Sequence, residues 1–89
     1  MTDKQAEMWA AFEAYQSTAD KDGHGESWRV MCRSRTYEAA LAAYYAAPEG
    51  SAAKEAAWVA AEAVWGAVAA DRHAQEAIAA IDAIKEVKP

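Results

Sequence analysis

Four side chains able to hold a cation stand at alternate positions of one short stretch, "DKDGHGE" at 20 to 26: Asp20, Asp22, His24 and Glu26. Alternate spacing can turn several donors toward one point, and Gly23 and Gly25 permit the tight turning that such wrapping needs. A basic cluster follows at once. The stretch "WRVMCRSRTY", 28 to 37, carries Arg29, Arg33 and Arg35 together with Cys32, the only cysteine. Arg29 and Arg33 are one helical turn apart and share a face, with Arg35 turned away. A guanidinium beside an exposed tryptophan can grip phosphate or stack on bases or on a partner's surface. Trp28, Arg29 and Arg33 therefore form the expected partner-binding surface, and Trp9 is a further candidate, because Trp and Arg concentrate binding energy at interfaces. Glu26 and Glu38 lie three residues from Arg29 and Arg35 and are placed to pair with them.

The first half of the 20 to 26 loop resembles an EF-hand calcium site. With Asp20 at the first ligand position, Asp22 falls at the third, His24 at the fifth and Gly25 at the sixth, where the sharp turn is made. The resemblance covers about six residues and ends where the site must close: Met31 stands in place of the bidentate glutamate. A softer ion such as zinc or nickel accepts imidazole and carboxylate, but four ligands within so short a span must wrap tightly. The plainer reading is a helix connector whose glycines and acids serve the turn. No metal or other cofactor is expected, and Asp20, Asp22, His24 and Glu26 are kept as weak metal candidates.

Catalysis has little to work with. His24 and His73 are the only histidines, and neither falls in a nucleophile motif with Cys32 or a serine. Cys32, flanked by arginines on the face read as exposed, could have a lowered pKa, yet no base is positioned beside it. The chain is read as a non-enzyme.

Alanine fills 26 of the 89 positions, and as the best helix former it makes almost everything between the breakers helical. The breakers are Gly23 and Gly25, "PEGS" at 48 to 51, Gly66 and Pro89. The expected fold is all-α, a single domain over 1 to 89, built as a compact bundle of three to four helices at about 3 to 19, 27 to 47, 52 to 70 and 72 to 87. Thr2 and Gln5 form a capping box, Ser27 caps the second helix, and Pro48 ends it.

Helical spacing puts Met8, Ala11, Phe12, Tyr15 and Ala19 on one core stripe, and Val30, Tyr37, Leu41 and Tyr44 on the next. Trp28 and Cys32 fall opposite the second stripe. Farther on, Trp58, Ala61, Val64, Trp65 and Val68 make a stripe that Ile78, Ile81 and Ile84 oppose if the helix runs unbroken. A break near Ala70, with Asp71 as cap, brings both stripes to one core; the alternative is one straight helix of about 36 residues. Alanine-lined stripes allow close helix approach, and tryptophans fill what alanine leaves.

A net charge of −5 disfavours nucleic acid as a partner over the whole surface. Asp71, Glu76, Asp82 and Glu86 can line one side of the last helix and imitate phosphate charge toward a basic groove. The opening residues lack a signal sequence, and the longest uncharged window falls short of the ~20 residues that span a bilayer. The expectation is a soluble cytoplasmic module that binds another protein. In size and acidity it is similar to small inhibitors encoded by phages or mobile elements against host nucleic-acid enzymes, such as anti-CRISPR proteins. Two alternatives stay open: a homodimer or larger homo-oligomer through an Ala/Trp helix seam, and a helical domain that binds metal or nucleic acid.

Overall fold

Thr2 opens the first helix as a capping box. Its hydroxyl accepts from the Gln5 N–H at 3.1 Å, while its own N–H donates to Gln5 Oε1 at 2.9 Å, so two otherwise orphaned donors are satisfied at once. The computed structural model describes residues 2 to 66 and 69 to 87, with side chains as far as residue 83. Among these residues it contains six helices and no strand: α1 (Asp3–Ala14), α2 (Gln16–Lys21), α3 (Gly25–Ser34), α4 (Tyr37–Ala46), α5 (Ala52–Trp65) and α6 (Ala70–Val87). The fold is all-α as expected, with more breaks than the three or four expected helices allow.

The expected helix over 3 to 19 divides at Tyr15, whose N–H is shared between the carbonyls of Ala11 and Phe12 at 3.2 and 3.1 Å. The Phe12 carbonyl also accepts the buried indole N–H of Trp28 at 2.8 Å. A second acceptor role at this turn accompanies the tightening of the backbone there.

The glycine loop has a capping explanation. After α2, Gly23 adopts φ +89°, and the N–H groups of Gly23 and His24 return to the carbonyls of Asp20 and Ala19. This is a Schellman motif, in which a left-handed glycine closes the helix end. Gly25 answers a different need: a Cβ here would sit 2.8 Å from the Asp20 Cα, so only glycine lets α3 start against the last turn of α2. The cap expected at Ser27 is therefore corrected, because α3 begins at Gly25 with His24 at the cap position.

The helix expected over 27 to 47 is also cut. Arg35 takes a left-handed conformation, φ 55° and ψ 39°, and Thr36 then caps α4 by accepting from the Ala39 N–H at 3.2 Å. Between α5 and α6 a break is present and the straight-helix alternative is excluded, but it comes earlier than expected: α5 ends at Trp65 with Gly66 in an extended conformation, and Ala70 already opens α6. Asp71 lies in the first turn of α6 and not at its cap.

One hydrophobic cluster draws on all six helices. α5 packs between α4 and α6, α6 returns to pack on α1, and the Gln5 amide of α1 donates to the Ala63 carbonyl of α5 at 2.9 Å. Met8, Phe12, Tyr15 and Ala19 are core as expected, whereas Val30 is 45% exposed. Buried α5 positions are Ala53, Ala56, Ala57, Ala60, Ala61 and Ala63. Trp58 and Trp65, expected on the core stripe, face outward; the helices approach on alanine and leave no room for an indole between them. Ile81 is buried, while Val68 and the side chain of Ile84 lie outside the described residues. Among the described residues no helix is long and apolar enough to cross a membrane.

Candidate functional site

Two surfaces deserve separate treatment: the arginine cluster read from the sequence, and an aromatic face that the sequence reading assigned to the core.

At the first, the exposed contact expected of Trp28 and Trp9 is corrected. Both indoles are buried, at 0% and 1% exposure. Trp28 stacks with Phe12 and Tyr15 at centroid distances of 5.0 and 4.9 Å, and Trp9 meets Phe12 edge-on at 5.6 Å. The reason is the break at Arg35. The buried stripe was phased on Tyr37, Leu41 and Tyr44, but these belong to a separate helix with its own direction. Within α3 alone, Trp28, Met31 and Cys32 form the buried face.

Arg29 and Arg33 do reach the surface, and the left-handed turn brings Arg35 back beside them. The three line one depression of about 490 Å³ together with Glu13, Gln16 and Cys32. Arg29 donates to both Asp20 carboxylate oxygens at 3.3 and 3.4 Å and approaches Glu26 at 3.9 Å, so the expected Glu26 contact is present as the longest of the three. Arg35 pairs with Glu13 at 3.4 Å, a partner not expected from the sequence. Its Nε donates to the Cys32 carbonyl at 3.2 Å, and its guanidinium lies 5.9 Å from the Trp9 ring centroid. Arg33 is exposed and has no ion-pair partner among the described residues.

Cys32 is buried, contrary to the exposed face expected of it. Burial, followed by the Glu13 charge, pushes its thiol up to about 11 against the pull of Arg35. It stays protonated near neutral pH, which disables it as a nucleophile.

The weak metal candidates are not gathered. Among the described residues, no group of three or more His, Cys, Asp or Glu side chains is placed to hold an ion. Asp20 is engaged by Arg29 and by the Gln16 amide at 2.9 Å, Asp22 and Glu26 are exposed, and His24 points inward. The His24 ring lies 6.2 Å from Tyr15 and 6.0 Å from Trp28 between centroids, with neither nitrogen hydrogen-bonded. Burial lowers its pKa, with Asp22 opposing. His73 contacts Glu76 at 3.2 Å on α6. Of the acidic stripe, Asp71, Glu76 and Asp82 are exposed, and the side chain of Glu86 lies outside the described residues.

The second surface runs along α4 and α5. Pairing of Tyr37 with Trp65 at 6.2 Å and of Tyr44 with Trp58 at 5.2 Å fixes the two helices as antiparallel. Tyr45 meets Tyr44 edge-on at 5.2 Å. Trp65 is 78% exposed, Tyr45 73% and Trp58 44%. At one end, the Lys54 ammonium lies 4.2 Å from the Tyr44 ring centroid, donates to the Tyr44 carbonyl at 2.8 Å and pairs with Glu49 at 3.3 Å. This cation joins α5 to the end of α4 and holds Tyr44 beside Trp58. Residues 37 to 87 carry eight acids against three bases, so the aromatic row belongs to the acidic half of the chain. The alternation of tryptophan with alanine in "AAWVAAEAVW" is the signal that could have found it, once the alanines were read as the packing face.

Comparisons with protein-family models, curated proteins and solved structures find no match to the chain.

Proposed function

We propose that this protein is a non-catalytic binding module that docks the α4–α5 face onto a basic surface of another protein. The observation that carries the reading is the outward row of Tyr45, Trp58 and Trp65 on a half of the chain with excess carboxylates. Large aromatic residues bury much area at little entropic cost and dominate interface energetics. Contiguous exposed apolar surface of this kind marks interaction sites. Glu49 and Glu55, which line one depression with Tyr44 and Trp58, favour a partner rich in Lys and Arg, whose cations can stack on the indole faces.

Proteins that handle nucleic acid present such basic grooves, so obstruction of a nucleic-acid enzyme is the finer form of the proposal and accords with a small acidic inhibitor. Self-association is the second reading. It would have to use the tryptophan face alone, because the alanine stripe of α5 is already buried within the chain.

The test is affinity capture from nuclease-treated cell lysate with the wild-type chain and a Tyr45→Ala/Trp65→Ala variant. Enrichment of one basic protein by the wild type, lost in the variant and at high salt, is the expected result. Equal capture by a folded variant would move the contact elsewhere. Return of the bait alone, with light scattering above 9.6 kDa, would replace the proposal with a homo-oligomer.

A further inference from the structure

We infer that the depression formed by Arg29, Arg33 and Arg35 is a binding site for a dianionic phosphate monoester group, separate from the aromatic face. The lining brings three guanidinium groups together with the Glu13 carboxylate, and Asp20 and Glu26 pair with Arg29, which leaves Arg33 as the cation whose charge is not matched by an ion pair among the described residues. All the cations are arginine. A planar guanidinium fork presents paired donors in a fixed geometry, whereas lysine offers a flexible point charge. One fork matches the two coplanar oxygens of a carboxylate. Several forks arriving from different directions match the tetrahedral oxygens of a phosphate.

Two of the three are positioned in advance. Arg35 is held by the Cys32 carbonyl, Glu13 and the Trp9 ring. Arg29 is held by Asp20, which the Gln16 amide fixes in turn. These ion pairs are 3.3 to 3.9 Å long, and the arginine side chains in them are about 40% exposed, so they orient forks that still reach solvent. The third, Arg33, has no ion pair among the described residues to give up.

Backbone conformation supports the same assignment. Arg35 is the only non-glycine residue with positive φ among the described residues. A left-handed residue ending a helix is most easily glycine, and an arginine kept in that conformation carries its guanidinium to the depression. At about 490 Å³, the space falls within the ordinary range for small-ligand pockets.

The chemistry is shared by phosphorylated small molecules and by phosphorylated side chains, and the experiment separates them. ¹⁵N NMR of the full chain at pH 7.5 and constant ionic strength is titrated with inorganic phosphate, AMP, phosphoserine and acetate. Saturable shifts of the arginine Nε–H signals and of the amides of 29 to 36 are expected with the phosphates and not with acetate. Tighter AMP binding would assign a nucleotide-like ligand; tighter phosphoserine binding would assign a phosphorylated side chain. Arg33→Gln should weaken phosphate binding at least about tenfold with an unchanged amide spectrum elsewhere, as expected for loss of a charge-assisted bond. Arg33→Lys should recover only part of that loss. Linear shifts equal for phosphate and acetate, or an unaffected Arg33→Gln variant, would overturn the assignment. So would tighter binding of an oligonucleotide lacking terminal phosphates, whose diesters are singly charged.

Discussion

The two halves of the molecule solve the packing problem in opposite ways. In α1 to α3, the core is made of large rings: Trp9, Phe12, Tyr15 and Trp28 are buried around a common centre. In α4 to α6 the core is mostly alanine, and the large rings lie outside. Hydrophobicity alone does not separate Trp28 from Trp65. The distance between helix axes does, because a helix pair closed on alanine has no volume for an indole, while short helices meeting at steep turns leave a hole that only an indole fills. An aromatic residue is therefore structural in one half and available for contact in the other.

Truncating the two tryptophans is the sharpest way to test that contrast. Trp28→Ala removes a fully buried ring together with the indole N–H that donates to the Phe12 carbonyl, and should cost about 3–5 kcal/mol. Trp65→Ala should change stability by no more than about 0.5 kcal/mol. Denaturant unfolding of both variants checks the pair, and comparable losses would remove the distinction.

Ala57→Leu should come next in size. Ala57 is fully buried on α5, and added methylenes must part the helices, at about 1–3 kcal/mol. The same substitution at an exposed position of α6, Ala79→Leu, should be nearly neutral in a thermal melt.

A smaller effect is expected from pH. Burial holds the His24 pKa below its ordinary 6.5, with Asp22 opposing. The unfolded chain thus takes up the proton first. Stability is fully present above the unfolded pKa and is lost as pH falls through the folded one. The melting temperature should decline as pH is lowered from 7.5 through about 6, and His24→Phe should flatten that slope if the variant folds. An unchanged slope would place the titrating group elsewhere.

Much of α1 was legible because both of its signals are local. The Thr2 capping box and the Met8, Phe12, Tyr15 spacing lie within a few residues of one another. That the segment after Ser51 breaks was legible, because two apolar stripes could not otherwise share a core, but its place was not: it was expected near Ala70, and α5 ends at Trp65 with Gly66 as its cap. The turn at Arg35 was not, since nothing at 34 to 36 is a glycine or proline. Its weak signal, Thr36 followed by Glu38 in the first turn of α4, sits inside a strongly helical composition. Missing that one turn put Trp28 and Cys32 on the wrong side and kept Arg35 apart from Arg29 and Arg33. The aromatic face was hidden by the reverse error, in which tryptophan was ranked above alanine as the packing residue of α5.

The return of α6 onto α1 has a kinetic consequence. The other extensive helix contacts join elements that are adjacent in the chain or separated by only one helix, so most of the structure can assemble by local closure, with little chain entropy lost at each step. The α1–α6 packing and the Gln5 bond to the Ala63 carbonyl of α5 are the contacts that bring distant segments together. The chain should accordingly fold as a rapidly growing stack whose last step is a ring closure, and disruption of that one seam should accelerate unfolding more than it slows folding.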